Sequence, residues 1–226
     1  DVLLVAGRYQ VRLAPPFVPG SELAGVVVEV ADDVATLHPG DRVFGSTLHG
    51  AFAEEVVAPA TALTRIPDGV DSAVAAAFGV AHRTAYHVLR SIAQVQPGEQ
   101  LVVLGAGGGV GLAAVQLGAI LGAEVTAVAS SAEKLAAAAA FGAARTIDHR
   151  AGDVRDALRE LVPAGVDVVV DPVGGDLSER ALRAMRWGGR FVTVGYASGA
   201  IPRIPLNLVL LKGVRIVGFE FLSFAT

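Results

Sequence analysis

The chain has 226 residues, 53% of them hydrophobic and 18% charged, with a formal net charge of −4 and no cysteine. Without cysteine there can be no disulfide and no thiolate-bound zinc. Nor do lysines and arginines form the stripe that a nucleic acid would need. Mean hydropathy is +0.55, yet the longest apolar run, Leu101 to Val115, contains five glycines and is too short to span a bilayer. No basic, apolar leader opens the chain, so a cytoplasmic protein without a membrane partner is expected.

The first third reads as a small, mainly β unit. Gly25 to Val30, Arg42 to Phe44 and Phe52 to Ala58 read as strands between turn signals such as His38-Pro39-Gly40-Asp41 and Pro67-Asp68-Gly69. Asp71 or Ser72 is placed to cap a helix beginning at Val74. Beyond it, strands and helices alternate. Gln100 to Leu104 is a strand, Val110 to Leu121 a helix, and Glu124 to Ala129 a strand. Ala132 to Phe141 is an alanine-rich helix stopped by Gly142, and Arg145 to Asp148 a short strand. Asp153 to Leu161 carries a helical apolar face. Val166 to Val170 reads as a continuous apolar strand, Asp176 to Met185 as a helix and Arg190 to Val194 as a strand. Leu206 to Leu211 has room for a turn or two of helix, and Arg215 to Phe221 is the last strand. Six strands with helical crossovers predict a doubly wound parallel sheet of the Rossmann type.

The first strand of that sheet runs into Leu104-Gly105-Ala106-Gly107-Gly108-Gly109-Val110-Gly111, with a helix directly after it. In a dinucleotide fold one glycine makes this turn, another lets backbone approach a pyrophosphate, and a third packs helix against strand. The strict G-x-G-x-x-G is not met, because Ala106 takes the first position; Gly108 and Gly111 take the others. The second strand ends in Ala129-Ser130-Ser131, with Lys134 one turn later. An NAD-binding chain usually has a carboxylate at this point, on the ribose 2′-hydroxyl. Hydroxyls and a lysine suit a 2′-phosphate instead. They also suit a plain helix start, with Ser131 as cap and Lys134 on the surface.

Taken with Pro19-Gly20-Ser21-Glu22-Leu23, His38-Pro39-Gly40-Asp41-Arg42, Arg83-Thr84-Ala85-Tyr86, Asp171-Pro172-Val173-Gly174-Gly175 and Gly195-Tyr196-Ala197-Ser198 in that order, these residues resemble the medium-chain dehydrogenase/reductase superfamily. Within it they are similar to the zinc-independent quinone oxidoreductase branch, which includes the zeta-crystallins. The resemblance implies a GroES-like, mainly β catalytic domain over 1–75, a Rossmann cofactor domain over 76–218, and the start of a return to the catalytic domain over 219–226. It also implies that the chain is a fragment, lacking residues at both ends.

The resemblance bears on Ser21. In the zinc alcohol dehydrogenases of the superfamily a histidine ligand stands there, partnered by a cysteine; this chain has serine and no cysteine. The histidines, His38, His49, His82, His87 and His149, are scattered, and no metal site is expected. Glu22 then becomes a structural carboxylate. The implied cofactor is NADPH, and the implied substrate a quinone or an α,β-unsaturated carbonyl. Gly108, Gly109 and Val110 are implied at the pyrophosphate, Ser130, Ser131 and Lys134 at the 2′-phosphate, and Thr84 with Gly195, Tyr196, Ala197 and Ser198 at the nicotinamide half. His149 replaces a tyrosine common in the family, in Ile147-Asp148-His149-Arg150, and leaves that adenosine contact open. Tyr9 matches a tyrosine that faces substrate in relatives, and reads equally as a surface turn residue. Two alternatives stay open, an enoyl-thioester reductase of the same fold and a non-catalytic NADPH-binding structural or RNA-binding protein. A homodimer through Arg215 to Phe221 is also implied.

Overall fold

The computed structural model describes residues 1–221. The chain divides into two compact units, Asp1–Val80 and the remainder from Ala81.

In the first unit a single helical turn, α1 (Val2–Val5), precedes a three-stranded antiparallel sheet of β1 (Glu22–Val26), β2 (Arg42–Ser46) and β3 (Leu63–Arg65), in that spatial order. Two expectations fail here. The first strand starts three residues earlier than Gly25 and ends at Val26, because β1 pairs Glu22 with Ser46 and Val26 with Arg42. Phe52 to Ala58 forms no strand: Phe52 and Val57 lie exposed, and no ladder is made there. The third strand is instead Leu63–Arg65, three residues paired to β2 through Val43, Phe44 and Gly45, too short to show a period of two. The turn before β2 is held by Asp41. The His38 N–H, at 2.7 Å, and the Arg65 guanidinium, at 2.8 Å, keep its carboxyl below the usual carboxylate range.

Helix α2 (Ser72–His87) begins at Ser72, two residues ahead of expectation. Its cap is Asp71, whose Oδ1 accepts from the Ala73 and Val74 N–H groups at 2.8 and 3.4 Å. Glu22 proves structural. Its Oε1 accepts from the Val80 N–H at 2.7 Å, where Gly79 leaves it room. A π-helical turn, Val88–Ile92, follows α2 and buries Val88 and Leu89 completely.

The second unit is a six-stranded parallel sheet in the order β6-β5-β4-β7-β8-β9. Its elements are β4 (Gln100–Leu104), α3 (Gly109–Ile120), β5 (Glu124–Ala129), α4 (Ala132–Ala140), β6 (Arg145–Asp148), α5 (Val154–Leu161), β7 (Val166–Asp171), α6 (Asp176–Ala184), β8 (Met185–Thr193), α7 (Leu206–Lys212) and β9 (Arg215–Gly218). Strand residues alternate between two cores, as the pleat requires. Leu101, Val103, Val125 and Ala127 pack with α3 and α4 on one face, while Val102, Leu104, Val128 and Val169 pack with α5, α6 and α7 on the other. A sheet covered on both faces is apolar throughout. Asp167 interrupts the apolar run Val166 to Val170 of β7. It is 5% exposed, accepts from the Gln100 N–H at 2.8 Å and meets the Arg186 guanidinium. Two boundaries move by more than one residue. β8 starts at Met185 rather than Arg190, with a register shift against β7 between Val166 and Val168. β9 ends at Gly218 rather than Phe221, because only Arg215 to Gly218 find partners on β8.

Candidate functional site

The chain order reverses at β4: β5 and β6 lie on one side of it, β7 to β9 on the other. In such sheets ligands bind in the crevice beyond the strands' carboxyl ends, at the reversal. A cleft of about 210 Å³ lies there. It is walled by Gly105, Gly107, Gly108, Ala129, Ser130, Lys134, His149, Val173, Leu177, Ala197 and Ser198.

The turn after β4 is built around contacts that only glycine allows. Gly105 has φ +62°, Ala106 donates to the Val128 carbonyl at 3.0 Å, and Gly108 donates to the Gly105 carbonyl at 3.0 Å. A Cβ on Gly111 would fall 2.2 Å from the Gly105 oxygen, so α3 packs on the turn only with glycine there. Gly108 is the N-cap and offers no side-chain cap. The first-turn N–H groups of Gly109, Val110 and Gly111 therefore have no partner within the helix. Aligned peptide dipoles add partial positive charge at this end.

Beside the turn stands the start of α4. Ser131 caps it, its Oγ accepting from the Lys134 N–H at 3.4 Å. The Lys134 stem lies over Gly107: a Cβ on that glycine would come within 2.5 Å of Lys134 Cβ and Cγ. The Lys134 Nζ reaches back to donate to the Ser130 Oγ at 3.4 Å. His149 follows β6 and is tied by its N–H to the Ala129 carbonyl at 3.1 Å. Among the described residues no carboxylate lines the cleft.

The opposite wall is organised by Asp171, fully buried at the end of β7. Its Oδ1 accepts from the Val173 and Gly174 N–H groups, each at 2.9 Å, and its Oδ2 from the Ser178 hydroxyl at 2.5 Å. It thereby ties α6 to the turn, where Gly174 and Gly175 have φ +71° and +67°. The loop after β8 is laced onto that turn. Ala197 donates to the Pro172 carbonyl at 3.2 Å, Ser198 to the Val173 carbonyl at 3.0 Å, and Gly175 to the Ala200 carbonyl at 2.9 Å.

Of the residues singled out in the sequence, the structure brings Gly108, Ser130, Lys134, His149, Ala197 and Ser198 around one cleft. Gly109, Val110, Ser131, Gly195 and Tyr196 neighbour these residues in the chain without lining it. Thr84 is 4% exposed, within α2. Tyr9 is half-buried in the first unit. Sequence reading did not assign Gly105, Gly107, Ala129, Val173 or Leu177 to the site, though all five line the cleft. Gly107 was visible only as one glycine among several, since its role comes from contact with a side chain 27 positions away.

The cleft suits a dinucleotide. It offers free backbone donors at a helix start, a lysine with two serines for a phosphate, and space that a side chain on the glycine turn would fill.

Comparison with known proteins agrees with the geometry. The zinc-binding dehydrogenase family matches residues 109–226, and the alcohol dehydrogenase GroES-like domain matches residues 1–68. A quinone oxidoreductase-like protein 2 homolog from Nematostella vectensis is 42% identical over 221 residues, 96% of this chain and 60% of that protein. Human quinone oxidoreductase is 32% identical over 225 residues, 99% of this chain and 68% of that protein. The crystal structure of Escherichia coli quinone oxidoreductase complexed with NADPH superposes with a TM-score of 0.92 at 30% identity, over 100% of this chain and 70% of that one. The chain thus spans between three-fifths and seven-tenths of the length of these relatives.

Proposed function

The chain belongs to the zinc-independent quinone oxidoreductase branch of the medium-chain dehydrogenase/reductase superfamily, and from that premise we propose that it is an NADPH-dependent oxidoreductase reducing quinones or α,β-unsaturated carbonyl compounds without a metal ion. One observation carries the cofactor choice. Where a carboxylate would hold a free ribose 2′-hydroxyl, Lys134 lies across Gly107 toward Ser130, and among the described residues no acidic side chain lines the cleft.

Bound NADPH supplies the hydride; the protein supplies position and electrostatics. In this reading the N–H groups of Gly109, Val110 and Gly111 hold the pyrophosphate, as unpaired donors at a helix start do. Ser130, Ser131, Lys134 and His149 hold the 2′-phosphate. Thr84, Gly195, Tyr196, Ala197 and Ser198 flank the nicotinamide half, and Tyr9 faces the substrate. Quinones and enones spread the negative charge of an arriving hydride onto oxygen, so they need no Lewis acid. Ser21, standing where zinc-dependent relatives place a ligand, is consistent with that class.

The test is NADPH consumption by the purified full-length protein with quinones, enones and enoyl thioesters, with and without a chelator. Turnover with a quinone or enone, undiminished by the chelator, is expected. Turnover with enoyl thioesters alone would reassign the substrate, and activity lost with the metal would overturn the metal-free reading. NADPH binding without turnover on any of them would point to a binding protein.

A further inference from the structure

Among the described residues only two ionisable side chains line the cleft, Lys134 and His149. Lys134 accounts for the choice of cofactor in the NADPH reading, on which the inference about His149 rests. His149 stands where the family commonly has a tyrosine. The exchange replaces a ring that stays neutral near pH 7 by one that can gain a proton.

Strand register places the histidine. β5 and β6 run parallel with Ala129 level with Asp148, so Ser130 and His149 are the next residues beyond both carboxyl ends. The His149 N–H continues the ladder to the Ala129 carbonyl at 3.1 Å. Ser130 in turn accepts from the Lys134 Nζ at 3.4 Å, so hydroxyl, ammonium and imidazole border one space. That space is about 210 Å³, room for several water molecules and hence for a phosphate group.

The carboxylates of the neighbouring elements are engaged or lie outside the cleft. Asp148 lines a separate hollow with Ala157 and Glu160, and its Oδ1 accepts from the Arg150 N–H at 2.9 Å. Arg150 and, on α4, Glu133 are exposed and line neither space. On α5, Asp153 caps the helix and pairs with Arg180 at 3.2 Å. Asp156 and Arg159 are exposed, and neither they nor Arg155 line the cleft. Glu124 starts β5 at its far end and pairs with Arg145. Among the described residues no hydrogen bond or ion pair engages the His149 ring.

Histidine is the side chain whose charge ordinarily changes between about pH 5 and 8, whereas lysine keeps its charge across that range. A phosphate monoester carries nearly two negative charges at about pH 7, and it favours the protonated form of an imidazole beside it. We propose that His149 determines specificity by binding the 2′-phosphate as imidazolium, so that NADPH binding takes up a proton from solvent. The complex then keeps a proton that the free protein releases first as pH rises. The preference for NADPH over NADH therefore grows as pH falls from about 8.5 to about 6.5. Below about pH 6 the phosphate gains a proton of its own and the growth levels off. NADH, with a free 2′-hydroxyl, binds without this dependence.

The experiment titrates the purified full-length protein with NADPH and with NADH at fixed ionic strength, at about pH 6.5 and about pH 8.5. For wild type the ratio of the two dissociation constants should move about tenfold toward NADPH at the lower pH, the effect of one charge-assisted hydrogen bond. His149→Gln should lose most of that movement and keep a preference for NADPH through Lys134. His149→Lys should keep a high preference at both pH values. On the unaltered protein, calorimetry in two buffers of different ionisation enthalpy should show net proton uptake with NADPH and none with NADH. A ratio indifferent to pH, a pH dependence undiminished in His149→Gln, or equal proton uptake with the two cofactors would each overturn the proposal and leave the NADPH reading in place. No preference for NADPH at either pH would remove both.

Discussion

Lys134 is the residue on which the cofactor preference turns. It lies on the first turn of α4, and its Nζ is directed to Ser130 rather than to a carboxylate. A charge-assisted hydrogen bond contributes roughly 1.5–3 kcal/mol, about tenfold to a hundredfold in affinity. Lys134→Ala is therefore expected to weaken NADPH binding by about that factor and to leave NADH nearly unchanged, as read from paired titrations at fixed salt. Equal losses for both cofactors would mean that the lysine supports the fold instead. This residue was legible because an absent acid and a present base at one strand end have chemical meaning by themselves. Gly107 was not: what it does for Lys134 is to have no Cβ, and that shows only when the stem is seen lying over it.

Among the elements, the turn that leaves β7 matters most to the cleft, and one carboxylate holds it. Asp171 satisfies two backbone N–H groups and one hydroxyl inside the protein. Asp171→Ala would strand all three donors, each costing about 1–3 kcal/mol when buried unpaired. We expect a stability loss of at least ~3 kcal/mol by denaturant unfolding, together with weaker NADPH binding, because Ala197 and Ser198 hang on that turn. Ser178→Ala should cost about 1 kcal/mol. If the two variants cost the same, Asp171 is not the organiser described here. The strands of the first unit teach a converse lesson. Phe52 to Ala58 has the composition of a strand but meets no partner, whereas Leu63–Arg65 has little pattern and is paired. Pairing is a property of two segments, and a single window of sequence cannot show it.

For the whole molecule, the sheet's two edges differ in what they offer a second copy. β9 is an edge strand, and an unpaired apolar edge invites pairing. Around it Trp187, Leu206, Leu210 and Ile216 are exposed, Trp187 at 78%. We expect a homodimer through β9, its mass by light scattering at micromolar concentration twice the monomer's, with Ile216→Lys shifting it toward monomer. A monomeric wild type would count against the edge, and a dimer indifferent to Ile216→Lys would place the interface elsewhere. No helix among the described residues is long and apolar enough to cross a membrane.

Sequence alone determined the order of strands and helices in the second unit, the glycine turn between β4 and α3, and the serine–lysine pair that follows β5. Each of these is written in local terms: a period, a turn residue that tolerates positive φ, a charge that is present or missing. Tertiary structure decided the rest. It set which strands of the first unit pair and where β8 and β9 begin and end. It made Gly107 the floor under Lys134, and it set which backbone groups Asp171 and Glu22 hold. Packing brings such groups together after the chain has folded back on itself, and at the distances where charge and excluded volume act, sequence separation carries no information.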